Sequence, residues 1–335
     1  MKHSLTRVAA LLLAALMTLT TLTACGQSQQ PQSPAEDPVT IRLGGLKGPT
    51  SIGMVKLLND SETGAAQNEY TFQLAGAADE LTPLLLKGEL DVVAVPANLA
   101  AVLYNKSEGA VQFLAVNTLG VLYIVEKGGD AVTDWESLRG QTIYATGKGT
   151  TPEYTLTYLL AQHGLTLGTD VTVEWKTEPS EVVAQMASDS HAIAMLPQPY
   201  VTVAQTKLDG LRVALDLTAS WDELHNGSQC ITAGLVVRRE FAAAHPQALA
   251  AFLSDYAAST QYANDHVSET AQLVEQYDIV KAAVAEKAIP YCNIVCLSGS
   301  DMIPALKGYL QVLFDQNPAS VGGAMPGDDF YYVGA

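Results

Sequence analysis

Residues Leu81–Leu103 read LTPLLLKGELDVVAVPANLAAVL, and three structural habits follow one another in them. Asp79–Lys87 spaces its leucines for a helix, with Asp79 as the N-cap. Asp91–Val95 (DVVAV) is a short, almost unbroken apolar strand. Pro96 ends it, and Ala97–Tyr104 is helical again. A strand that is apolar at nearly every position, rather than at alternate ones, is buried on both faces, as in a parallel sheet sandwiched by crossover helices. The same alternation continues on either side. Val39–Gly45 (VTIRLGG) is a strand ending in glycine, and Thr50–Asn59 is a helix with Ile52, Val55, Leu57 and Leu58 on its apolar face. Tyr70–Ala75 and Val111–Val116 are further strands. This βαβα series gives an α/β fold with mixed, mostly parallel sheets.

A second series follows Leu119–Val125. Strands are expected at Gln141–Ala145, Val171–Trp175, His191–Leu196 and Leu211–Leu217, and helices at Thr151–Gly164, Ser180–Ser188 and Pro199–Thr206. A strand returns at Gly234–Val237, and the chain is then mostly helical to Asp315. The tail helices are amphipathic and need a surface to rest on. Packing them on the first series makes domain I discontinuous, residues 39–122 with 234–335, and leaves residues 123–233 as an inserted domain II. Two crossings near Gly120–Val125 and Ile231–Val236 then form the hinge.

The first residues do not belong to this fold. Lys2, His3 and Arg7 precede an apolar run, Val8–Leu19, too short to span a bilayer comfortably. With small residues after it, residues 1–24 have the form of a signal peptide. Leu22-Thr23-Ala24-Cys25 resembles a bacterial lipobox, which implies that Cys25 is lipidated and becomes the mature N-terminus. Gly26–Pro38 (GQSQQPQSPAEDP) has almost nothing to bury, so residues 25–38 are expected to be an acylated cysteine on a flexible leash. The net charge of −17 argues against nucleic acid or an acidic lipid surface as partner. Cys230, Cys292 and Cys296 are an odd set beyond Cys25, so at least one thiol is free or bridged to another molecule. CNIVC without a nearby histidine reads as two buried cysteines or one local bridge rather than a zinc site.

Four stretches in order carry a family resemblance: GGLKGPTSIGMVKLL (44–58), LTPLLLKGELDVVAVPANLAAVL (81–103), WESLRGQTIYATGKGTTPEYTLTYLLAQHGL (135–165) and AMLPQPYVTVAQ (194–205). Together they resemble the solute-binding lipoproteins of ABC importers, in the group that binds sulfonates, taurine, nitrate and thiamine precursors. The resemblance implies a type II periplasmic-binding-protein-like fold, two α/β domains on a two-crossing hinge closing around a ligand. It implies a non-enzymatic protein with no cofactor, monomeric, held outside the cytoplasm by its lipid anchor and serving permease and ATPase subunits. Its solute would be small and polar or anionic, with sulfonate-like and heteroaromatic molecules in range. The chain departs from the family at Gln198-Pro199, where an acidic residue often precedes the proline.

Ligands of open α/β sheets bind beyond the carboxyl ends of the strands. Lys47, Pro49, Thr50 and Ser51 lie there after the first strand, where free N–H groups at a helix start attract an anion or carbonyl oxygen. The same residues also make an ordinary cap. Gly149, Thr150 and Thr151 occupy the matching loop of the second series, which is not a phosphate-binding P-loop because Gly149 follows Lys148. Pro96, Asn98, Asn117, Thr118, Gln198 and Trp221 are further candidates, although Asn98 also suits a cap and Trp221 a core. No GxSxG or HExxH motif points to hydrolysis or a metalloenzyme. An enzyme or a ligand sensor on the same fold is the alternative.

Overall fold

A computed structural model describes residues 39–334. The signal peptide, Cys25 and the leash lie outside the described residues. In chain order the first elements are β1 (Thr40–Leu46), α1 (Pro49–Ile52), α2 (Val55–Glu62), β2 (Glu69–Ala75), α3 (Ala78–Lys87), β3 (Val92–Pro96), α4 (Ala97–Lys106) and β4 (Val111–Leu119). Then come β5 (Leu122–Lys127), β6 (Thr142–Thr146), α5 (Thr151–Gln162), β7 (Thr172–Lys176), α6 (Pro179–Ser188), β8 (Ala192–Pro197), α7 (Tyr200–Lys207), β9 (Leu211–Asp216) and α8 (Leu217–Glu223). The remainder is β10 (Ile231–Arg238), α9 (Arg239–Ala244), α10 (Pro246–Asp265), α11 (Val267–Gln276), α12 (Ala282–Ala288), β11 (Ile294–Ser298) and α13 (Met302–Gln316).

The strands form two sheets, β11-β4-β10-β3-β1-β2 and β7-β6-β8-β5-β9. In the first, β1 pairs in parallel with β2 and β3, while β10 slots antiparallel between β3 and β4. In the second, β6 pairs in parallel with β7 and β8, and β5 runs antiparallel to β8 and β9. Most strands of each sheet therefore run one way, as the α/β reading expects. Val92, Val93, Ala94 and Val95 of β3 are fully buried, so the apolar run does lie between two helical layers. The chain passes from the first sheet to the second through Gly120 and Val121, and back by way of α8 and the segment leading into β10.

Some expectations need correcting. The helix expected over Thr50–Asn59 is two helices, α1 and α2, broken at Gly53. A Cβ on Gly53 would come within 3.0–3.1 Å of Ile294, Thr260 and Tyr256, so the break lets the tail approach. Asp79 is not the N-cap of α3. Ala77 holds that position, and Glu80 accepts the N–H groups of Gly76 and Ala77, each at 2.9 Å. The mostly helical tail also contains a strand that was not expected, Ile294–Ser298, which pairs with β4 at the sheet edge. Asn117 and Thr118 fall inside β4 rather than after it.

Each half is pinned by a buried carboxylate. Asp91 accepts from the guanidinium groups of Arg42 (2.6 and 2.8 Å) and Arg238 (2.9 Å). Glu126 accepts the N–H groups of Ala131 (3.0 Å) and Val132 (3.1 Å) and pairs with Arg212. Burial alone would push both carboxyls up. The hydrogen bonds and arginine charges outweigh it and hold both below the ordinary range.

Candidate functional site

Between the carboxyl ends of the two sets of strands lies a cleft of about 440 Å³. Its walls are mainly Leu46, Pro49, Leu99, Leu122, Met195 and Pro197, and no aromatic ring among the described residues lines it. Polar groups enter at Thr50, Thr82, Thr150 and Thr232, and charges at Lys47, Lys148, Lys176 and Asp79. A mostly apolar cavity with a few placed polar groups is the usual form of a small-molecule site.

The loop after β1 is built into the core. The Lys47 N–H donates to the Ala75 carbonyl at 2.8 Å, and Ser51 Oγ donates to the Leu46 carbonyl at 2.7 Å. Asn117 Nδ2 donates to the Thr50 carbonyl at 3.1 Å, and Thr118 Oγ1 donates to Asn117 Oδ1 at 3.1 Å. These bonds fix the Thr50 side chain at the cleft wall. Thr50 is 5% exposed, and its Oγ1 has no hydrogen-bond partner among the described residues. A buried hydroxyl left unpaired costs about 1–3 kcal/mol, which a bound acceptor would relieve.

The loop after β6 is held differently. Thr150 Oγ1 donates to the Gly147 carbonyl at 2.8 Å, and the Gly149 N–H meets the Glu153 carboxylate. Gly147 and Gly149 take φ of 84° and 75°, a conformation open to glycine, and Lys148 and Gly149 are exposed.

Of the expected site residues, the structure brings Lys47, Pro49, Thr50, Pro96 and Thr150 to the cleft. Ser51, Asn117 and Thr118 brace the first loop from behind. Asn98 and Thr151 meet each other: Thr151 Oγ1 donates to Asn98 Oδ1 at 3.2 Å, while Asn98 Nδ2 donates to the Ser320 carbonyl at 2.9 Å. With the 2.8 Å bond between Thr155 and Tyr309, they clasp α4, α5 and α13 together. Gln198 is buried and accepts from Thr202 Oγ1 at 2.9 Å. Trp221 is fully buried, packs on Tyr158 and Tyr309, and donates its Nε1–H to Ser228, so its ring does not reach the cleft. Gly149 stands outside the lining.

Gly76, Lys148, Lys176, Met195 and Thr232 line the cleft without having been singled out. The rule that sites lie at strand carboxyl ends applies to Gly76, Lys176 and Met195, which sit at or beside the ends of β2, β7 and β8. Lys47 lies 3.9 Å from Asp278, and Lys176 lies 3.6 Å from Glu174. Among the described residues Cys230, Cys292 and Cys296 are unbridged. Burial pushes the Cys230 thiol up to about 12 and that of Cys296 up to about 11, so neither is a ready thiolate. Among the described residues no group of three or more His, Cys, Asp or Glu could hold a metal ion.

A model of the NMT1-like family matches residues 65–277. No curated protein matches the sequence. Among solved structures, an ABC transporter protein from Parabacteroides distasonis is similar at 24% identity and a TM-score of 0.72, covering 88% of this chain and 98% of that one. The aliphatic sulphonate binding protein SsuA of Escherichia coli is similar at 16% identity and 0.70, covering 89% and 94%. The alkanesulfonate-binding protein SsuA of Xanthomonas axonopodis pv. citri, bound to MOPS, is similar at 16% and 0.67, covering 89% and 97%. The likeness to these structures is one of fold.

Proposed function

The chain belongs to the NMT1-like family, and from that premise we propose that it is the extracytoplasmic solute-binding lipoprotein of an ABC importer. Its two halves, residues 39–122 with 234–335 and residues 123–233, close on a small polar or anionic solute and hand it to a membrane permease. The solved proteins of the same fold include sulfonate binders, which supports this assignment. Cys25 carries the lipid anchor and residues 26–38 the leash; among the described residues no helix is long and apolar enough to cross a membrane.

The observation that carries the reading is Thr50, which lines the cleft and whose Oγ1 is buried without a hydrogen-bond partner among the described residues. A donor held this way is suited to an acceptor that arrives from outside the protein. Lys47, Pro49, Pro96 and Thr150 complete the contact set. Ligand binding to the closed form then shifts an open–closed equilibrium, and the closed form is what the permease reads.

A thermal-shift screen of sulfonates, nitrate, pyrimidines and flavins tests the reading. A true ligand at a hundred times its Kd stabilises the fold by about 2.7 kcal/mol. Turnover of any of them, without stabilisation by one, would make the protein an enzyme instead. The anchor is tested separately: Cys25→Ser should release the chain from membrane fractions.

A further inference from the structure

β3 and β4 end at Pro96 and Leu119, on the cleft side of the first sheet. β10 lies between them and runs antiparallel to both, so its first residues, not its last, stand at the cleft. Against β3 its ladder is regular, with Ala233 facing Pro96 and Gly234 facing Val95. Against β4 it is not. Ile231 faces Leu119, Ala233 faces Thr118 and Gly234 faces Val116. Thr232 is therefore an extra residue on β10, and Asn117 an extra residue on β4, one on each side of the Ala233–Thr118 pair. A bulge takes a residue out of the ladder and re-aims its side chain, and bulges gather beside functional sites.

Asn117 shows what such a step achieves, since its Nδ2 donates to the Thr50 carbonyl at 3.1 Å. Thr232 is its counterpart on the facing strand. Ile231 and Ala233 on either side are buried, whereas Thr232 is only half-buried and lines the cleft. The register that produces the bulge is pinned by Gly234. A Cβ there would stand 2.0 Å from Phe113 Cζ and 2.6 Å from the Ala115 carbonyl oxygen. A slip of one residue would bring Ala233 or Leu235 against that ring, so β10 cannot slide to absorb the extra residue. Thr50 stands at the same strand ends, because α1 packs against both β3 and β4.

We infer that Thr232 is a ligand contact that works with Thr50, the two hydroxyls holding the oxygen-bearing head of the solute. The inference rests on the reading of the cleft as a solute site. Hydroxyls are the groups suited to this work. No arginine among the described residues lines the cleft, and the Lys47 and Lys176 ammonium groups face Asp278 at 3.9 Å and Glu174 at 3.6 Å. β10 is also the strand by which the chain returns from the second half, so a solute held by Thr232 bears directly on a crossing between the halves.

The test uses the full chain and four variants, Thr232→Val, Thr232→Ser, Thr50→Val and Thr50→Val with Thr232→Val. Calorimetry measures affinity for butanesulfonate and for nitrate, a head group without a tail, and thermal melting follows the fold. Valine keeps the shape and strand preference of threonine, so a purely structural Thr232 predicts unchanged binding. Thr232→Val should instead weaken both probes about tenfold at an unchanged melting temperature, the loss of one hydrogen bond to a charged group. Thr232→Ser should stay within about twofold of the parent. The double variant should lose much less than the product of the two single losses, because a head released by one hydroxyl is already poorly placed for the other. Parent-like affinity in Thr232→Val, a serine variant as weak as the valine one, or losses that multiply in full each overturn the shared grip while leaving the solute site standing. Failure of the parent chain to bind either probe instead removes the anionic-solute reading, and the grip with it.

Discussion

The loop after β1 and the loop after β6 occupy equivalent places in the two sheets, yet they are secured in different ways. In the first, Pro49, Thr50 and Ser51 are buried, and Asn117 reaches across from β4 to hold the Thr50 carbonyl. In the second, the bonds from Thr150 to Gly147 and from Gly149 to Glu153 are all local, and the tip is exposed. One wall of the cleft is thus buried and braced from its own sheet, and the other is an exposed turn closed by local bonds and touched at its base by Asn98, which donates to the Gly149 carbonyl at 3.5 Å. A preformed wall supplies orientation at little entropic cost, and a compliant one lets different solutes be enclosed.

The largest effect should come from breaking the frame beneath either loop. Removing the carboxylate in Asp91→Ala or Glu126→Ala strands half-buried arginines and backbone N–H groups, and either should cost about 3 kcal/mol in denaturant titration. The pH dependence has a fixed sign. Both carboxyls are depressed in the folded state, so their stabilisation is complete above the ordinary carboxylate range and fades as pH falls through their lower folded values. Asp91→Asn should flatten the acid limb of the stability curve. An unchanged limb would show that the first half does not depend on its pin.

Asn117→Leu comes next, because it leaves the Thr50 carbonyl and Thr118 Oγ1 without partners. It should cost about 2–3 kcal/mol and abolish solute binding, since the first loop loses its brace. Thr50→Val and Thr150→Val then separate the walls. Thr50→Val removes a hydroxyl with no partner among the described residues, so stability should hold or rise slightly while affinity falls about tenfold. Thr150→Val loses a bond to Gly147, costs about 1 kcal/mol of stability and changes affinity less. Equal affinity losses from the two would erase the contrast between the loops. The smallest effect is that of Gly149→Ala, where φ of 75° strains alanine by about 1 kcal/mol in thermal melting and open space lies around the new methyl.

Much of the frame was legible in the sequence because it is local. The apolar run at Val92–Pro96, the glycine-ended first strand and the proline-led helices each follow from neighbours in the chain. Apart from the N-cap of α3, the misreadings are long-range. Gly53 breaks a helix because Tyr256, Thr260 and Ile294 press on it from the tail. Ile294–Ser298 becomes a strand only because β4 offers an edge. The site divides the same way. Strand ends pointed to Lys47, Pro49, Thr50, Pro96 and Thr150, which line the cleft. Nothing local tells that Asn98 and Thr151 satisfy each other, that Trp221 fits between Tyr158 and Tyr309, or that Asn117 and Thr232 step out of their ladder.

The position of β10 also shapes how the molecule comes into being. It fills the middle of the first sheet, between β3 and β4, yet it is made only after the whole second half. Until Ile231–Arg238 has emerged, β3 and β4 have no strand to join them, and their exposed edges cannot be satisfied by anything nearer in the chain. Pairings across such sequence distances form slowly. The first sheet therefore cannot be completed until more than two thirds of the chain has been made.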